Sequence, residues 1–85
     1  MLGRTVYILE HGGGSVRPYI INRKILYITV HHKNGVRYHY KDGCFSEAAL
    51  CRYVFFDYSA AVAKRNYYWK VGWRELRDEI HKTKN

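Results

Sequence analysis

The stretch from Ile25 to Lys41, ILYITVHHKNGVRYHYK, decides the fold. Two runs rich in Ile, Val, Thr and Tyr flank Asn34-Gly35. An Asn-Gly between such runs is a hairpin signal, because Gly35, and at some cost Asn34, can take positive φ. Two registers compete. A two-residue loop pairs Lys33 with Val36 and puts Ile28 and Val30 on the same face as Arg37, His39 and Lys41. A three-residue loop, Lys33-Asn34-Gly35, with Gly35 left-handed in a G1 bulge, pairs His32 with Val36, Val30 with Tyr38 and Ile28 with Tyr40. It turns Leu26, Ile28, Val30, Val36, Tyr38 and Tyr40 inward and Tyr27, Thr29, His31, Arg37, His39 and Lys41 outward. Register follows the arrangement that buries one face cleanly, so the longer loop is expected. The outer face is then cationic and aromatic, with no carboxylate.

Working outward, Arg4 to Glu10 reads as a first strand and His11-Gly12-Gly13-Gly14-Ser15 as the turn after it. The glycines do not form a phosphate loop, because neither Lys-Ser nor Lys-Thr follows and the next run is again strand-like. Residues 16–21 form a second strand, with Pro18 suited to an edge or an irregular start. If Asn22-Arg23-Lys24 is an odd-length turn, Ile21 pairs with Ile25, Tyr19 with Tyr27 and Arg17 with Thr29. Arg17 and Tyr19 then extend the outer basic face. Strands are expected over about 4–10, 16–21, 25–32 and 36–41.

Past Asp42-Gly43, Ser46 before Glu47-Ala48-Ala49-Leu50 resembles a helix N-cap with an acid in the first turn. The spacing predicts a helix over 46–56, apolar around most of its circumference and therefore sandwiched or shared with a second subunit. Ser59 can cap a further helix over about 60–66. Trp69, Trp73, Leu76 and Ile80 recur at near-helical spacing and predict an amphipathic helix over about 69–82, with both tryptophans read as core. The expectation is one α+β domain over residues 1–85: a four-stranded antiparallel meander with two or three helices on one face.

Charge bears on partners. The chain of 85 residues carries a formal +8, with pI near 9.7, and 47% hydrophobic residues including nine tyrosines and two tryptophans. Such a chain folds, and its field attracts an anionic partner. Between Glu10 and Asp42 there is no acidic residue, yet the interval holds Arg17, Arg23, Lys24, Lys33, Arg37 and Lys41 with four histidines. Lys64-Arg65-Asn66-Tyr67-Tyr68-Trp69-Lys70 is the second place where cations and aromatics interleave. The plain alternative is a solvated face that keeps a small domain soluble. There is no run of about eighteen apolar residues. The start reads directly into a strand, so a cytoplasmic protein with Cys44 and Cys51 as free, partly buried thiols is expected.

No convergent set of catalytic groups stands out in the sequence. His31 or His39 with Cys44 lacks any local signature of a cysteine enzyme, and Cys51 falls in an apolar run. A ribonuclease using His31 or His39 as acid and base beside Arg37 and Lys41 is chemically conceivable. His31 and His32 point to opposite faces of a regular strand, and two cysteines seven apart lack zinc-knuckle spacing, so no metal or other cofactor is expected. Binding remains. Cations among tyrosines offer phosphate contacts and rings for unpaired bases, which suits single-stranded or structured RNA better than duplex DNA. The expected RNA-binding residues are Arg17, Tyr19, Arg23, Lys24, Tyr27, His31, Lys33, Arg37, His39, Lys41, Lys64, Arg65 and Lys70. A protein-inhibitor module, docking the same basic face into an acidic or nucleic-acid-binding site, is the alternative.

The Tyr-rich hairpin HHKNGVRYHYKDG, the aromatic LCRYVFFDY and the ending WKVGWRELRDEI, in one basic domain, resemble the small bacteriophage proteins that disarm bacterial defences. Among these the chain is most similar to the toxin inhibitory factors of T-even phages, which bind RNA and block the RNA-cleaving toxin of a type III toxin–antitoxin system. The resemblance implies RNA binding, a host toxin or other defence protein as target, and a homodimer. Anti-CRISPR proteins are the family-level alternative.

Overall fold

A computed structural model describes residues 2–12, 16–33 and 35–83 of the chain. Strand β1 (Thr5–Glu10), TVYILE, is the centre of a three-stranded antiparallel sheet in the order β2-β1-β6. Its apolar residues point both ways and are buried both ways: Val6, Ile8 and Leu9 are all in the core. That is the burial a central strand needs. On one side β2 (Tyr19–Lys24) pairs with it from Thr5↔Lys24 to Glu10↔Tyr19. On the other, the two-residue β6 (Val54–Phe55) pairs Ile8↔Val54 and Tyr7↔Phe55.

The organising hairpin belongs to a second sheet, β3-β4-β5, made of Tyr27–His31, Gly35–Tyr40 and Gly43–Ser46. The pairing is Tyr27↔His39, Ile28↔Tyr38, Thr29↔Arg37, Val30↔Val36 and His31↔Gly35. This corrects the expected register by two residues. His32 and Lys33 turn, Asn34 lies outside the described residues, and Gly35 closes the loop against His31 at a φ of 72° that only glycine adopts freely. A slip of two keeps every side chain on its face, but the expected burial of the inner set is corrected. Tyr38 is buried and Val36 and Tyr40 half-buried, whereas Leu26, Ile28 and Val30 are exposed because β3 is the edge of its sheet. Tyr38 and Phe45, cross-strand partners, stack at 5.1 Å on the buried side.

The single meander is also corrected. β2 runs three residues further than expected, through Arg23 and Lys24, and does not pair with β3. Instead Ile25, 1% exposed, turns into the core. Its N–H donates to the Arg4 carbonyl and its own carbonyl accepts from Gly3, while Leu26 N–H donates to the His39 carbonyl. The chain crosses between sheets at these two residues, giving six strands in two sheets. Of the predicted first turn, Gly13, Gly14 and Ser15 lie outside the described residues.

The helix expected over 46–56 does not form. Cys44, Phe45 and Ser46 complete β5, Glu47–Ala49 is a single 3₁₀ turn, and Cys51 takes a left-handed φ of 67°. Val54 and Phe55 then join β1. The all-round apolar pattern reflects strands and turns buried on several sides, and Phe, Tyr and Val favour that outcome. Both cysteines are free and exposed, which corrects their expected partial burial.

Two helices follow: α1 (Tyr58–Val71) and α2 (Trp73–Thr83). Asp57, not Ser59, caps α1, its carboxylate accepting from Ala60 N–H at 3.2 Å and from the Ser59 hydroxyl at 3.0 Å. Gly72, at φ 104°, breaks the continuous pattern between them. Helix α1 packs on the β1 sheet and against α2. Leu76 is fully buried and Ile80 packs against the same core.

Candidate nucleic-acid interface

Helix α1 covers the β1 sheet and neither helix packs broadly on β3-β4-β5. On its outer face Tyr27 and His31 are exposed and Thr29, Arg37 and His39 half-buried, and Ser46 Oγ donates to the Thr83 carbonyl at the end of α2 at 2.8 Å. Those three strands contain no acidic residue. Tyr27, His39 and Cys44 form one cross-strand row and Thr29, Arg37 and Ser46 the next. Tyr27 stacks on His39 with ring centroids 4.4 Å apart and planes 7° from parallel, and is 54% exposed. His39 Nε2 lies 2.8 Å from Thr29 Oγ1, which fixes the imidazole under the phenol. Arg37 reaches across to Cys44 Sγ at 3.8 Å. His31 is exposed at the hairpin end, and Lys33 and Lys41 flank the face in its turns. His39 and Cys44 are neighbours, yet the imidazole bonds to Thr29 and the thiol to Arg37. Among the described residues no three His, Cys, Asp or Glu side chains converge on a metal-sized space.

A second aromatic-cationic surface lies on α1 and the start of α2. The Trp69 indole, 41% exposed, donates from Nε1 to the Pro18 carbonyl at 2.7 Å, which pins the loop before β2 to the helix. Two guanidiniums lie over that one ring, Arg65 at 4.3 Å and Arg17 at 5.1 Å from its centroid. Lys64 sits 5.1 Å from the Tyr67 ring and 5.5 Å from that of Tyr68. His11 stacks on Trp73 at 5.6 Å, with Arg74 and Arg77 also over that indole.

The expected residues therefore divide. Tyr27, His31, Lys33, Arg37, His39 and Lys41 gather on or beside the outer sheet face. Arg17 belongs with Arg65, Lys64 and the exposed Lys70 on α1 instead, because β2 does not extend that face. Tyr19 pairs with Glu10 in the β1 sheet and is 46% exposed, and Lys24 ends β2, exposed. Arg23 is already engaged: its Nε and Nη2 donate to the two Asp42 oxygens at 2.9 and 3.0 Å, tying β2 to the β4–β5 turn. That bond holds the Asp42 carboxyl below its ordinary range and raises the Arg23 guanidinium. Nearby, burial pushes Glu10 up despite His11 and Arg23, and burial followed by the Glu10 and Asp42 charges lifts Tyr40 to about 12.

Trp69, Trp73, His11, Arg74 and Arg77 were not expected at a binding surface. The tryptophans share the helical spacing of Leu76 and Ile80, but Gly72 ends that helix and leaves Trp69 off the buried stripe.

The fold and these two surfaces define a small basic α+β domain with cations set against exposed rings. No protein-family model, curated protein or solved structure matches the chain.

Proposed function

We propose that the protein binds single-stranded or structured RNA on the outer face of β3-β4-β5. The observation that carries this is the Tyr27–His39 stack, one ring face open, on a sheet surface holding Arg37 and His31 and flanked by Lys33 and Lys41, without a carboxylate in its strands. A base stacks on the open phenol while the cations meet phosphates, and the sheet holds both sets rigidly. The setting that goes with this reading is the one the resemblance implies. A phage-encoded inhibitor acts in the host cytoplasm and keeps an RNA-cleaving toxin of a bacterial toxin–antitoxin system from working, without catalysis of its own. The test is anisotropy of a labelled single-stranded oligoribonucleotide with nuclease-treated protein and no partner present. Saturable binding at low salt is expected, and its absence would refute the reading.

A protein contact is favoured by one further observation. On the opposite face of β3, the edge of its sheet, Leu26 and Val30 are 56% and 78% exposed, and residues 26–31 carry neither Lys, Arg, Asp nor Glu. Sheet edges are ordinarily blunted by Lys or Pro. The occupant we infer is a second copy. Antiparallel pairing of two β3 strands about Thr29 sets Ile28 against the partner's Val30 with no like charges opposed, and joins the two outer faces into one platform. The docking of the basic face on a host defence protein is the competing function, and it predicts no RNA binding by the isolated protein.

A further inference from the structure

We infer that the α1 surface around Trp69 is a second, separate nucleotide site, where the rings take a base and Arg17 and Arg65 take its phosphate; this rests on the RNA reading above. Two guanidiniums lie within 5.1 Å of one ring centroid, and among the described residues neither makes an ion pair with a carboxylate. Helix α1 itself contains no acidic residue, and Asp57, its cap, is spent on Ala60 and Ser59. Arg65 Nε is enclosed and has no acceptor, and its Nη2 reaches only the neighbouring Asn66 at 3.3 Å. His11 Nδ1, stacked on the next tryptophan, is likewise enclosed without a partner. A buried guanidinium N–H without an acceptor is costly, so Arg65 is short of an acceptor.

A phosphodiester supplies that acceptor. The indole is held by Pro18 while Arg17, just before it at the end of the β1–β2 connection, is exposed, so Arg17 can leave the ring for a phosphate and a base can take its place on the indole. Lys64 and Tyr67, 49% exposed, continue the surface for a neighbouring nucleotide. The ligand is therefore single-stranded nucleic acid. An acidic peptide would use the cations and leave the rings idle.

Both tryptophans of the chain lie in this cluster and none on the sheet platform, so tryptophan emission, excited selectively beyond the tyrosine absorption, reports on this site alone. The experiment titrates unlabelled oligouridylate into the parent, Arg17→Gln/Arg65→Gln, and Arg37→Ala/His39→Ala/Lys41→Ala, beside anisotropy of the same RNA carrying a label. Circular dichroism checks each fold. Saturable quenching is expected in the parent and in the sheet variant, with the quenching affinity about tenfold or more weaker in Arg17→Gln/Arg65→Gln. Anisotropic binding without quenching would overturn the second site and leave the sheet platform standing. Quenching lost with the sheet variant would also overturn it, as a secondary effect of platform binding. Equal quenching by polyglutamate would replace the nucleotide with an acidic protein segment. If neither signal appears, both readings fall.

Discussion

Replacing Tyr27 with alanine separates stacking from charge. One face of the phenol is occupied by His39 at 4.4 Å, and the ring remains 54% exposed, so the other face can take one base. Stacking of one base on such a ring contributes about 1–3 kcal/mol, so Tyr27→Ala should weaken single-stranded RNA binding by roughly 5- to 150-fold. Tyr27→Phe keeps the ring and should stay within about twofold of the parent. The slope of log affinity against log salt should be unchanged in both, because no phosphate contact is lost. Arg37→Ala, by contrast, should flatten it by about 0.7. An exposed side chain leaves stability nearly untouched, so thermal unfolding of Tyr27→Ala should track the parent. Anisotropy titrations at several salt concentrations give all these quantities. An alanine variant that binds within about twofold of the parent, or a phenylalanine variant that loses as much as alanine, would refute stacking on this ring.

Other consequences are equally specific. Cys44 is exposed in the row of Tyr27 and His39 while Cys51 sits in a left-handed turn outside that sheet, so N-ethylmaleimide on Cys51→Ser protein should weaken RNA binding by removing the sheet-face contact and on Cys44→Ser protein should not. Leu76→Ala empties a fully buried position and should cost about 2–5 kcal/mol in denaturant unfolding, a large share of a small domain's stability. Burial lifts the Tyr40 and Tyr68 phenols to about 12 from an ordinary 10. A raised folded value favours the neutral phenol, so this contribution is complete below pH 10 and is lost as pH rises to 12; Tyr40→Phe or Tyr68→Phe should make stability fall less steeply over that window. Val30→Lys places a charge on the open β3 edge and should hold the protein monomeric in light scattering where the parent is a dimer; a parent already monomeric at high concentration would remove the β3 interface.

The composition of the outer face of β3-β4-β5 is legible in the sequence, because strand parity needs only the alternation of Tyr27, Thr29 and His31 against Ile28 and Val30. A register error of two residues leaves the faces unchanged although every pair is displaced, but alternation alone does not show that the β3 edge leaves Leu26, Ile28 and Val30 exposed. The path from β2 to β3 was not legible. Ile25 alternates like a strand residue, and only its bonds to the Gly3 and Arg4 backbone divert the chain into a second sheet. That diversion moved Arg17 to Trp69, and no local pattern predicts a contact between residues 52 positions apart. Ser46 to Phe56 misled because an apolar run buried on several sides has no period to tell helix from strand. Arg23 looked free because Asp42, 19 residues on, reaches it only through the packing of the two sheets.

The most direct test of RNA binding on the β3-β4-β5 face is RNA affinity across a salt series for nuclease-treated parent and for Arg37→Ala/His39→Ala/Lys41→Ala with its fold verified. The parent should bind with affinity falling steeply as salt rises, and the folded variant should lose the sheet-face share of that binding, leaving weaker binding with a flatter slope. A folded variant that binds RNA as the parent does, with the same slope, would contradict the assignment of the β3-β4-β5 face.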